Sequence, residues 1–161
     1  MAHPVKAVPA GYHTVTSTLI VDNAAQAIDF YKRAFGAQEI SRYPGPDGRI
    51  MHAEIKIGDS IVMLSDEMPQ MGVRSPKAFQ GAPPARLWLY LDNVDATWKR
   101  ALDAGAKEQM PLDDQFWGDR MGQITDPFGH VWSLAQHIKD MTPAELKKAG
   151  DEFFAQMATQ R

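Results

Sequence analysis

Apolar and polar positions along this chain follow two periods, and the order in which those periods alternate occurs twice. From Leu19 to Ile40, "LIVDNAAQAIDFYKRAFGAQEI" leads from an apolar stretch through Asp-Asn into Ala24, Ala27, Ile28, Tyr31 and Phe35 at helical spacing. Asn23 with Gln26 three residues on suits the helix start, and Gly36 suits its end. From Leu89 to Met110, "LYLDNVDATWKRALDAGAKEQM" repeats the grammar, with Val94, Trp98, Ala101 and Leu102 between Asp92-Asn93 and Gly105. After each helix the period falls to two. "RIMHAEIKI" and "SIVMLS" flank Gly58-Asp59 as a hairpin, and "RMGQIT" and "HVWSLAQH" flank "DPFG" as its counterpart, with His130 as the residue that leaves the turn. Each copy therefore reads strand, helix, strand, strand, strand.

These patterns divide the chain into an N-terminal arm (1–11), a first module (12–67), a linker (68–85), a second module (86–138) and a C-terminal helix (139–161). The linker, "MPQMGVRSPKAFQGAPPA", has no usable periodicity and reads as a loop over a pocket. The tail opens on a capping box, Thr142-Pro143-Ala144-Glu145. It continues with Leu146, Ala149, Phe153 and Met157 on one face, a stripe that should dock on this chain or on a dimer partner.

Strand alternation sorts side chains by face. Val15, Leu19, Val21, Met51, Ala53, Ile55, Ile57, Leu87, Leu89, Leu91, Trp132 and Leu134 should pack on the helices. The opposite face then carries Thr16, Thr18, His52, Glu54, Lys56, Arg86, Trp88, Tyr90, Ser133 and His137. Large aromatics at alternate positions on such a face are at home in a pocket.

Composition narrows the chemistry. A 44% apolar and 23% charged chain of 161 residues has enough core for one folded unit or two half-domains sharing one. Its net charge of −3, without a basic cluster, argues against nucleic acid and against a membrane partner. With no cysteine, any metal would need His, Asp or Glu. No signal peptide or membrane span is evident, so a cytoplasmic location is expected, with His3 a solvated residue of the arm.

"LIVDNAAQAIDFYKRAFGA", "GRIMHAEIKIGDSIVMLSDE", "LDNVDATWKRALDAGA" and "WGDRMGQITDPFGHVWSL" together resemble the vicinal oxygen chelate superfamily of glyoxalase, bleomycin-resistance and dioxygenase proteins. The resemblance spans roughly Gly11 to His137. It implies an α+β fold of two βαβββ modules forming U-shaped mixed sheets around a cavity, and a homodimer. It also implies a metal held by a His or Gln from the first strand and a Glu from the last strand of each module. Those positions fall here on Thr16, Val62, Arg86 and Ser133, all expected on the cavity face, and none is a histidine or carboxylate. The expectation is that no metal or other cofactor is used, with a divalent metal as the alternative.

His52 and Glu54, two apart on one strand, are candidates for an acid/base pair or for ligands of a displaced metal site. Arg86 suits either an anion clamp or an internal ion pair with Glu54. Trp88, Tyr90 and Trp117 could stack a planar ligand, and Asp119-Arg120 reads equally as a salt bridge. His13 and His137 are expected at the surface. The leading reading is a metal-independent protein that binds an aromatic or anionic small molecule among Thr16, His52, Glu54, Arg86, Trp88, Tyr90, Trp117 and Ser133. The alternatives are a metal-dependent lyase, isomerase or dioxygenase around His52 and Glu54, and a non-catalytic interaction module.

Overall fold

The computed structural model describes residues 6–81 and 83–159, so His3, the start of the arm and the last two residues lie outside the described residues. The first module is β1 (Ser17–Val21), α1 (Ala24–Phe35), β2 (Gln38–Pro44), β3 (Ile50–Ile57) and β4 (Ser60–Asp66). The second is β5 (Arg86–Tyr90), α2 (Val94–Asp103), β6 (Lys107–Asp114), β7 (Asp119–Thr125) and β8 (Val131–His137), followed by α3 (Pro143–Thr159). Two four-stranded mixed sheets result, ordered β1-β4-β3-β2 and β5-β8-β7-β6, with the first strand of each module parallel to the last. Two short 3-10 turns, Pro69–Met71 and Pro76–Ala78, lie in the connection between modules.

Local chemistry sets the helix ends. The Asn23 side chain accepts from the Gln26 N–H and the Asn93 side chain from the Ala96 N–H, each at 3.0 Å. Gly36 ends α1 in the left-handed region at φ 68°. A second acceptor reaches the start of each helix from the last strand of its own module: Asp66 Oδ1 takes the Ala24 N–H at 2.6 Å, and Gln136 Oε1 takes the Val94 N–H at 3.1 Å. In α3 the capping box is reciprocal, with Thr142 N–H donating to Glu145 at 2.8 Å and Glu145 N–H to Thr142 at 3.3 Å.

Helix-facing residues of both modules share one core. Leu19, Val21, Ala53, Ile55, Leu64, Trp132 and Leu134 are all buried in it. Phe30, Tyr31 and Phe35 of α1 reach across to the second module, with Phe35 and Tyr31 ring centroids 4.9 and 5.5 Å from Trp132. Two assignments made from alternation change. Val15 precedes β1 and is 86% exposed, and Met51 is exposed because the β2–β3 register shifts between Tyr43 and Pro44. In the second module, a β-carbon at Gly122 would meet the Trp98 ring at 2.6 Å and the Leu112 backbone at 2.9 Å. Only glycine lets α2 lie this close to β6 and β7.

Asp126, in the "DPFG" turn, is buried and joins the modules. Its Oδ1 accepts from the Phe128 and His130 N–H groups, both at 2.9 Å. Its Oδ2 accepts from the Tyr31 hydroxyl at 2.7 Å and the Trp132 indole at 2.9 Å. His130 Nε2 meets the Ile20 carbonyl at 2.9 Å, which requires the hydrogen to sit on that nitrogen. Burial beside this carboxylate pushes the Tyr31 hydroxyl well above its ordinary pKa.

Asp126→Ala would leave all four of its donors unsatisfied and is expected to cost about 3 kcal/mol or more in urea unfolding, against about 1–2 kcal/mol for Tyr31→Phe. Equal, small losses in the two variants would show that the carboxylate does not join the modules.

Candidate functional site

Because the helices and core occupy one face of each sheet, the opposite faces are left open. On the first sheet, β-pairing brings Glu54 beside Met63 and His52 beside Tyr43. His52 Nε2 lies 3.1 Å from Glu54 Oε1, Ser41 Oγ donates to Glu54 Oε2 at 3.2 Å, and the Tyr43 and His52 rings stack at 6.1 Å. The N-terminal arm crosses this face. Tyr12 of the arm lies against Glu54 and, together with His52, holds that carboxyl below the usual range, while Glu54 pushes the Tyr12 hydroxyl up to about 12. Thr16 Oγ1 donates to the His13 carbonyl at 3.0 Å and lines a cleft of about 540 Å³ under the arm.

On the second sheet, Trp88 and Tyr90 stand at alternate positions of β5 with ring centroids 6.1 Å apart, and both are exposed. Ser133 is paired opposite Trp88 and Gln123 and is buried beneath them, with Gln123 Nε2 at 3.4 Å from its hydroxyl. Asp119 organises the end of this face. Its Oδ2 accepts from the Tyr90 hydroxyl and the Trp117 indole, both at 3.0 Å, and its Oδ1 accepts from His137 Nδ1 at 2.8 Å. His137 Nε2 points at Asp140, 3.0 Å away. A carboxylate at each nitrogen favours the charged ring relative to a free imidazole, and the His137 pKa is raised chiefly by Asp119 and then by Asp140.

The residues expected to share one pocket do not share one within a single chain. Thr16 lines the cleft under the arm, Arg86 a cleft of about 530 Å³ at the seam between modules, and Trp88 and Tyr90 a third of about 790 Å³ against Ile57–Ser60. His52, Glu54, Ser133 and Trp117 line none of these three. Among the described residues Arg86 has no ion pair, and Glu54 meets His52 and Ser41 instead. Arg120 pairs with Asp95 at 2.8 Å and Asp114 at 3.1 Å, leaving Asp119 to its neutral and imidazole donors. Signals for Asp66, Asp119 and Asp126 were present as lone acids at strand ends and turns, but their burial is set by the tertiary fold.

The metal-ligand register also shifts by one. Val62 pairs with Ser17 and Ile55 and is buried on the helix side, so the last-strand position on the open face is Met63, the partner of Thr18 and Glu54. The family's donor positions therefore carry Thr16, Met63, Arg86 and Ser133. A hydroxyl pair, a thioether and a guanidinium do not fit a divalent cation. Among the described residues no three His, Asp or Glu side chains converge as a metal site.

His137 supplies a pH test. Its pKa is higher folded than unfolded, so its stabilising contribution is complete below the ordinary value of 6.5 and is lost as pH rises through the raised one. Proton NMR of the imidazole should give a midpoint above 6.5 that falls in Asp119→Asn and falls less in Asp140→Asn. A wild-type midpoint at or below the ordinary value would refute this arrangement.

Comparison with known proteins agrees with this architecture. Uncharacterized proteins of Mycobacterium tuberculosis (Rv0887c) and Mycobacterium bovis (Mb0911c) are 47% identical over 133 residues, covering 81% of this chain and 78% and 88% of theirs. Among solved structures, TioX from Micromonospora sp. ML1 superposes with TM-score 0.59 at 27% identity, covering 81% of this chain and all of its own. PA1353 from Pseudomonas aeruginosa gives 0.62 at 26%, covering 79% of this chain and 99% of its own. No helix among the described residues is long and apolar enough to cross a membrane. The model for the Glyoxalase/Bleomycin resistance protein/Dioxygenase superfamily matches residues 12–134, and the chain belongs to that superfamily.

Proposed function

We propose that this protein binds an aromatic or anionic small molecule without a metal, in the manner of the non-catalytic binding members of its superfamily. The observation that carries this reading is the donor set. The positions that would hold a cation carry Thr16, Met63, Arg86 and Ser133, one of them a fixed positive charge that repels it. What the open face offers instead is flat apolar area. Trp88 and Tyr90 form a ledge, oriented at its far end by the Asp119 carboxylate, and Arg86 stands on the same face of β5. An aromatic ligand could stack on the ledge with an acidic group toward the guanidinium.

In this reading the cavity is completed by a second copy of the chain. The two modules of one chain meet through α1, α2 and the shared aromatic core, so their open faces are not closed on each other. A homodimer that set the first sheet of one protomer over the second sheet of its partner would bring His52, Glu54, Trp88 and Tyr90 around one space.

Elemental analysis of dialysed protein should find no stoichiometric metal, and Mn(II) or Zn(II) should leave the thermal midpoint unchanged. In a panel of aromatic carboxylates, binders should quench tryptophan fluorescence, and Trp88→Ala should weaken them about tenfold. Stoichiometric bound metal, or metal-dependent turnover that His52→Ala abolishes, would overturn the proposal.

A further inference from the structure

The cleft at the seam between modules is built differently from the open sheet faces. Its floor is the start of β5 and the strand β1, and its wall is the inter-module connection, which folds back over both. The lining is mainly apolar, from Pro76, Phe79 and Pro84 of the connection and Leu87 of β5, and the open cleft holds about 530 Å³, enough for a two-ring organic molecule. Arg74 and Arg86 enter it from the connection and from β5, and no carboxylate lines it. Neither guanidinium has an ion pair among the described residues. Arg74 acts on Glu67 only through space, and Glu67 spends Oε1 on the Ser75 N–H at 2.6 Å.

Two unpaired guanidiniums over an apolar wall make a defined chemical demand. Both guanidiniums are exposed, so a neutral guest would leave them to solvent and gain nothing from them, and a small inorganic anion would leave Phe79, which is largely exposed, uncovered. We infer that the seam cleft is a binding site for an aromatic or alicyclic organic anion, a carboxylate or sulfonate whose ring lies against Phe79, Pro76 and Leu87. Its acidic group is held between Arg74 and Arg86. The site is distinct from the cleft at the Trp88–Tyr90 ledge and shares no lining residue with it, although Arg86 also stands on the ledge's face of β5. Because it lies at the junction of β1, β5 and the connection, a guest there contacts both modules of one chain.

The test uses 8-anilinonaphthalene-1-sulfonate and its uncharged counterpart N-phenyl-1-naphthylamine on the full-length protein, with thermal midpoints confirming that each variant is folded. The sulfonate should show one site per chain that depends on Arg74. Arg74→Gln and Arg86→Gln together should weaken it by about tenfold or more while leaving the neutral probe unchanged, as expected for charge-assisted hydrogen bonds. Phe79→Ala should weaken both probes, and the sulfonate binding that Arg74→Gln removes should persist in Trp88→Ala, which acts only on the ledge. Sulfonate affinity unchanged in the folded double-arginine variant would overturn the site. So would loss of binding in Trp88→Ala with Arg74→Gln silent, a result that places the probe on the ledge and leaves the sheet-face reading standing.

Discussion

Asp126 is the point on which both modules hang. A buried carboxylate is costly unless every oxygen is engaged, and this one is engaged by two backbone N–H groups of its own turn and by the Tyr31 hydroxyl and Trp132 indole. The turn that begins β8, the last helix-facing aromatic of the second module and the central aromatic of α1 are thereby held in one geometry. Everything on the open face of the second sheet follows from where β8 is placed: Ser133 under Trp88, Ala135 beside Tyr90, and His137 against Asp119. The shape of the candidate site is thus decided on the opposite side of the sheet.

The two modules solve the same problems with different residues. Each helix start is held by a side chain from the last strand, a charged Asp66 in the first module and a neutral Gln136 in the second. Asp66 also takes the Ile50 N–H at 2.7 Å, so it ties β3 to α1. The open faces diverge further. The first carries an imidazole–carboxylate pair shielded by Tyr12 of the arm, and the second an aromatic ledge fixed by a buried acid. Such asymmetry suits a site where one half is polar and the other stacks.

Much of this could be read from the chain because period and capping are local properties. The alternation of Ala53 and Ile55 with His52 and Glu54, and the Asn23 and Asn93 caps, depend on neighbours a few residues away, and the structure has them as expected. The last-strand position moves from Val62 to Met63 because Ser60 pairs across the Gly58-Asp59 hairpin with the helix-facing Ile57, which turns Val62 to the helix side as well. The role of Asp119 was hidden for another reason. Its three partners come from Tyr90, Trp117 and His137, two of them distant in sequence, and no spacing rule joins them. The separation of Thr16, Arg86 and Trp88 into three clefts likewise depends on how modules pack, to which alternation within a strand is blind.

The His130 contact has a consequence for the behaviour of the chain among its copies. β1 is an edge strand, and edge strands invite another chain to add itself by main-chain hydrogen bonding. At Ile20 the carbonyl is already taken by an imidazole delivered from the other module. The same turn that orders the core therefore also occupies an acceptor of that edge, and loosening it would free the Ile20 carbonyl for another strand.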